Sequence, residues 1–270
     1  MAQIDPKVMA FRKARANDLK DLARFTNKQR ISIEKNESFK EAIRLLEDNQ
    51  HVYLDESGNP DSSLWGYTIT HLPVVINNIP RHTFPAVKQL TLRISMAFAA
   101  DWRGWEKMQD PARRLNLDVL LLGTNKDESR CLTSYHLDKH QVQPNAAGTQ
   151  AKSLPAEVHP LYHVQFSSGK TYKVDEAAGL NLGTSGNLFL DVPRLLHYPM
   201  DLILGVDFIL ANYIPSAWNA LQRDGSYANL CRKYQSAFLK PYIHAIAQHW
   251  NIHRDSDCWG AKKAIWPNLL

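Results

Sequence analysis

The residue types that could do chemistry gather between residues 131 and 201. The runs are Ser134-Tyr135-His136-Leu137-Asp138, then His159-Pro160-Leu161-Tyr162-His163-Val164-Gln165-Phe166, then Pro193-Arg194-Leu195-Leu196-His197-Tyr198-Pro199-Met200-Asp201. The first two runs alternate like strands, so His136 shares a face with Asp138, and His163 with Gln165. If the two strands pair, one sheet face collects two imidazoles, a carboxylate and an amide. A neutral imidazole is a general base or a metal ligand near neutral pH, and a neighbouring carboxylate fixes its tautomer. Arg194 adds a bidentate donor for phosphate or carboxylate. His159 and His163 are four apart, but Pro160 and the strand-like run oppose a helical ligand pair. His197 precedes a helix, and Asp201 falls in its first turn, where the helix dipole favours a carboxylate. This set fits a hydrolytic phosphodiester site with His136 or His163 as base, Asp138 as orienting carboxylate and Arg194 as charge stabiliser. The competing reading makes the histidines hydrogen-bonded sheet residues and Arg194 a structural ion-pair partner. The sequence assigns no metal and no cofactor.

The elements that must hold these groups follow from periodicity. Residues 7–48 read as helices, with stripes at Leu19, Leu22, Ala23 and Phe25, then Phe39, Ile43 and Leu46. Strands are expected at 51–54 and 65–72, flanking the turn signal Asp55-Glu56-Ser57-Gly58-Asn59-Pro60. Pro73, Pro80 and Pro85 mark an extended connection, and residues 86–108 are expected to be a helix with Leu90, Ile94 and Phe98 on one side. Residues 117–122 and 130–138 form a hairpin about 123–128. Residues 139–157 read as a long polar insertion. A second hairpin is expected from 162–166 and 171–174, with a further strand at 187–190. Residues 200–212 are apolar nearly all round, which predicts a buried helix opened by Pro199. Its Asp207 either has a partner, such as Arg194 or a histidine, or lies on a solvent-facing or interface stripe. Pro241 breaks or restarts the helical run around it. The expected fold is α+β, a curved antiparallel sheet flanked by N- and C-terminal helices. It divides into a helical region with a small hairpin over 1–116 and the sheet with buried helices over 117–270, or forms one continuous domain.

A 270-residue chain with 44% apolar and 22% charged residues is ordinary for a folded protein. No apolar run reaches the roughly 18–20 residues of a membrane span, and the N-terminal residues lack an apolar signal core. Cys131, Cys231 and Cys258 are scattered, with no Cys-x-x-Cys pair, which argues against a zinc ribbon and fits a reducing cytoplasm. Net charge is +5, which permits a polyanionic partner. Arg12 and Arg15 on the basic first helix, with Trp102, Arg103, Trp105 and Lys107, are the candidate contacts to nucleic acid or to a protein partner; the plainer reading makes the tryptophans core or interface anchors and the basic helix a solvated face. The glycine-rich run at 179–186 lacks the Gly-Lys-Ser/Thr ending of a P-loop. No Gly-x-Ser-x-Gly elbow and no His-Glu-x-x-His is present.

Taken together, the Tyr-His-x-Asp, His-Pro-x-x-His and Pro-Arg elements of residues 131–212 resemble a pattern in uncharacterised prokaryotic families of toxin-like and phage-defence gene clusters. The resemblance covers under a third of the chain. It implies a bacterial defence role that binds or processes nucleic acid or a nucleotide. A non-catalytic subunit of a multiprotein defence complex is the alternative.

Overall fold

A computed structural model describes residues 4–55, 58–79, 86–105, 107–126, 128, 130–139, 160–166 and 195–248. Helix α1 (Pro6–Lys28) starts where the Asp5 carboxylate accepts the Lys7 N–H at 2.7 Å and Pro6 supplies a preset φ. It ends before Arg30, whose φ of 62° turns the chain. Helix α2 (Glu37–Glu47) is capped by Asn36, which accepts the Phe39 N–H at 3.0 Å. A two-stranded ribbon, β1 (Tyr53–Leu54) with β2 (Pro60–Asp61), leads into the main sheet.

The main sheet has six strands in sequential order: β3 (Leu64–Ile76), β4 (Val87–Asp101), β5 (Arg114–Asn125), β6 (Arg130–Lys139), β7 (Tyr162–Phe166) and β8 (Leu195–Leu196). Every neighbouring pair is antiparallel. Pro73 lies inside β3 rather than in a connection. It is tolerated there because β3 is an edge strand. The register of β3 against β4 shifts between Ile69 and Leu72, where His71 takes φ 52°. Asn36 and Ser38, at the start of α2, donate to the Thr70 carbonyl and so hold this bulge.

The expected helix over 86–108 is a correction, because Val87–Asp101 form β4 and only Trp102–Gly104 make a short helical turn after it. Leu90, Ile94 and Phe98 recur every four positions, an even spacing that fits a strand face as well as a helix face. Leu92 and Met96 fill the gaps, so all five side chains are buried on one side of β4. The hairpin of β5 and β6 and the strand at β7 form as expected. The expected strands at 171–174 and 187–190, and the insertion at 139–157 apart from Lys139, lie outside the described residues.

After the sheet come α3 (Leu202–Tyr213), α4 (Pro215–Gln222), α5 (Gly225–Tyr234), a π-helical turn (Gln235–Leu239) and α6 (Lys240–Ala247), which Pro241 restarts. These helices and α1 and α2 share one core with Leu92, Ile94, Met96, Leu117, Val119 and Leu137. Phe98 meets Phe238 edge-on at 5.5 Å. Gly205 lets α3 approach the sheet: a Cβ there would stand 3.2 Å from Leu117. The boundary expected at 116/117 falls inside β5, and this core takes residues from both sides of it. The architecture is α+β, an antiparallel sheet with N- and C-terminal helices. No described helix is long and apolar enough to cross a membrane.

Candidate functional site

The chemistry sits on the sheet face opposite that core. Residues directly across an antiparallel pair share a face, and β6 runs against β7 with His136 opposite Gln165 and Asp138 opposite His163. The expected pairing and the shared face of the two histidines are therefore present. On the other side, β5 places Asp118 opposite His136 and Asn116 opposite Asp138. One face of three strands thus holds two imidazoles, two carboxylates and two amides.

The Asp138 carboxylate lies between the two histidines. Its Oδ1 is 2.9 Å from His163 Nε2, and its Oδ2 is 3.8 Å from His136 Nε2. The rings meet edge-on, with centroids 6.4 Å apart. His163 Nδ1 lies 3.3 Å from the carbonyl oxygen of Pro160, so the chain just before β7 fixes the ring's orientation. His136 and His163 are 5% and 3% exposed and Gln165 is buried, but the Asp138 side chain is 24% exposed. The cluster is therefore inside the protein with its carboxylate at the solvent boundary. Asn116 Nδ2 donates to Asp118 Oδ2 at 3.1 Å, which turns Asn116 Oδ1 away from that carboxylate. This Oδ1 is buried and accepts no hydrogen bond among the described residues.

Chemically, the group can exchange a proton with a water or hold a metal ion. Among the described residues it is the only set of three His, Cys or carboxylate side chains whose ligand atoms all lie within 4.8 Å of one another.

The other expected residues fall elsewhere. Arg194 lies outside the described residues, as does His159. His197 donates its backbone N–H to the Tyr162 carbonyl at 3.2 Å, and its ring contacts Tyr198 and Phe208 of α3. It therefore faces the helical side of the sheet, away from His136 and His163. Burial lowers its pKa against the bond to the Tyr198 carbonyl. Asp207 has partners, none of them a histidine among the described residues. Its Oδ1 accepts from Trp218 Nε1, Gln222 Nε2 and Tyr227 OH at 2.9–3.0 Å.

Arg12 and Arg15 are corrected as surface contacts, since they are 1% and 4% exposed. Arg12 donates to the carbonyls of His51 and Leu45 and lies over the Tyr53 ring. Arg15 pairs with Asp18 at 3.0 Å and lies 4.2 Å from the Trp105 ring, with Phe11 and Tyr234 beside it. Trp105 packs edge-on against Trp65, Tyr234 and Phe238 and belongs to the core margin. Trp102 is half-buried against Phe11. Arg103 and Lys107 are exposed, and Arg103 pairs with Asp101.

Sequence reasoning missed Asn116 and Asp118. Their signal was the alternation of Leu115, Leu117, Val119 and Leu121, which leaves the two polar residues on the opposite face. It also missed the internal network in which Asp18 accepts from Lys233 Nζ at 2.8 Å and from Tyr234 OH at 3.0 Å. Comparisons with known protein families, characterised proteins and solved structures find no match to this chain.

Proposed function

We propose that this protein hydrolyses phosphodiester bonds of a nucleic acid or nucleotide, in the cytoplasm, as part of a prokaryotic defence- or toxin-like system. The observation that carries this reading is the His136–Asp138–His163 triangle on one sheet face, with the carboxylate reaching solvent. His163 engages both ring nitrogens and braces Asp138. The 3.8 Å gap between Asp138 and His136 is too long for a direct hydrogen bond but lets one water bond to both. Such a water loses its proton to the triangle as it attacks phosphorus, and the departing oxygen takes a proton back. Arg194, three residues before His197, would offset the charge that builds on phosphate. The net charge of +5 favours polyanionic substrates. The resemblance of residues 131–212 to toxin-like and phage-defence families supports the cellular setting.

The test is cleavage of labelled single-stranded RNA, single-stranded DNA, duplex DNA and a cyclic dinucleotide by the full chain. His136→Ala and His163→Ala should lose about 10²–10⁴-fold in rate. Cleavage by neither the wild type nor the variants, or full activity in both variants, refutes the reading. The burial of both rings favours a second one, a non-catalytic subunit with a structural His–Asp–His network. It predicts no cleavage and a loss of about 1–3 kcal/mol of stability for either substitution.

A further inference from the structure

We infer that His136, Asp138 and His163 bind one divalent transition-metal ion of the zinc, manganese or iron(II) class, with water completing its coordination. The inference deepens the hydrolytic reading by naming how the triangle activates water, although it stands on ligand geometry alone.

Three observations carry it. First, the spacing suits a metal. Bonds of about 2.0–2.1 Å in a tetrahedral site put neighbouring ligand atoms about 3.3 Å apart. Here the nitrogen–oxygen separations are 2.9 and 3.8 Å, and all ligand atoms lie within 4.8 Å, so side-chain shifts of about an ångström close the set around an ion.

Second, His163 is held as a ligating histidine usually is. Its Nδ1 lies 3.3 Å from the Pro160 carbonyl, which only accepts, so that nitrogen donates, and Nε2, 2.9 Å from an Asp138 carboxylate oxygen, is the ring nitrogen left to bind an ion.

Third, Asn116 offers a place for the metal's water. It stands directly across from Asp138 on the same face, and its buried Oδ1 accepts nothing among the described residues. A water on the metal would donate to it. Two imidazoles with one carboxylate favour transition metals over magnesium or calcium, which prefer all-oxygen sites.

The test is titration of the chelator-treated full chain with Co²⁺, read by its visible d–d absorption and by calorimetry. One ion per chain is expected, displaced by Zn²⁺. His163→Gln and His136→Gln should each weaken binding at least 100-fold, and Asp138→Asn at least 10-fold. His71→Gln, at an exposed site on β3, should leave it unchanged. Circular dichroism verifies that each variant is folded, and Asn116→Leu serves as a further probe outside the ligand set that should alter the cobalt spectrum. No binding at about 100 µM Co²⁺, or binding insensitive to both histidine substitutions, overturns the metal site. Hydrolysis that persists without metal would overturn the ion's part in activating water and leave the metal-free acid–base reading standing. Tight cobalt binding without cleavage of any substrate would instead keep the site and remove the proposed function.

Discussion

Replacing Asp201 with asparagine should flatten the protein's loss of stability as pH rises. Asp201 is fully buried at the start of α3, where Oδ1 accepts the Leu204 N–H at 3.1 Å and Oδ2 accepts the Tyr67 hydroxyl at 2.9 Å. Burial pushes its carboxyl up from 3.8 to about 7, and the charge of Asp18 adds to the rise. The hydrogen bonds from Leu204, Tyr67 and Ile203 oppose it. The unfolded chain releases this proton near pH 3.8 and the folded chain only near pH 7. Between those values the folded state holds a proton that the unfolded state has lost, so stability falls as pH increases. At 1.36 kcal/mol per pH unit, the full penalty is about 4 kcal/mol, of which about 2–3 kcal/mol accrues between pH 5 and pH 8. Asparagine keeps an oxygen for the Leu204 cap and carries no charge, so it lacks this term. Urea unfolding of both proteins at pH 5 and pH 8 measures it. Relative to the wild type, Asp201→Asn should gain about 2–3 kcal/mol over that interval, whatever its absolute stability at either end. Other titrating groups are common to both proteins and cancel. Parallel stability curves for the two proteins would refute the burial argument.

Other perturbations test the packing. Gly66→Ala should cost about 3 kcal/mol or more by thermal or urea unfolding, because the new Cβ would stand 2.2 Å from the Phe98 carbonyl oxygen, a backbone atom that cannot step aside. Asp207→Ala should cost about 2–3 kcal/mol by removing the acceptor shared by Trp218, Gln222 and Tyr227, and Asp207→Asn should recover part of that loss. Arg15→Ala should cost about 3–5 kcal/mol, since it strips a buried partner from Asp18 and empties the space between Phe11 and Trp105. If the exposed Arg103 and Lys107 touch nucleic acid, changing both to glutamine should lower the salt dependence of binding by about one unit of slope for each phosphate no longer neutralised, whereas Trp105→Leu should act through stability alone. A fluorescence-anisotropy salt titration separates the two.

Strand-length patterns were legible in the sequence wherever one face is buried and the other is not. The alternation at 134–138 and 162–166 specified strands with each histidine placed on a face, and the run at 202–212, apolar nearly all round apart from Asp207, specified a buried helix. Ambiguity entered where a spacing served two periods. Leu90, Ile94 and Phe98 satisfy both a helix and a strand, and only the intervening Leu92 and Met96 resolve them. Charge alone makes Arg12 and Arg15 look solvated, yet their spacing to Leu19 and Leu22 places them on the buried stripe of α1. Their burial depends on partners far along the chain, Leu45, His51 and Trp105, which local pattern does not reveal. The site shows the same division. The sequence by itself determined that His136 and Asp138 share a face and that His163 lies on a strand. Only the tertiary structure decided that β7 pairs with β6 in the register that sets His163 opposite Asp138, that β5 brings Asn116 and Asp118 alongside, and that His197 turns to the other face. Register is a long-range choice among pairings of similar backbone energy. It is settled by which side chains the shared core can bury, and a slip of one residue would send the whole cluster to the opposite face.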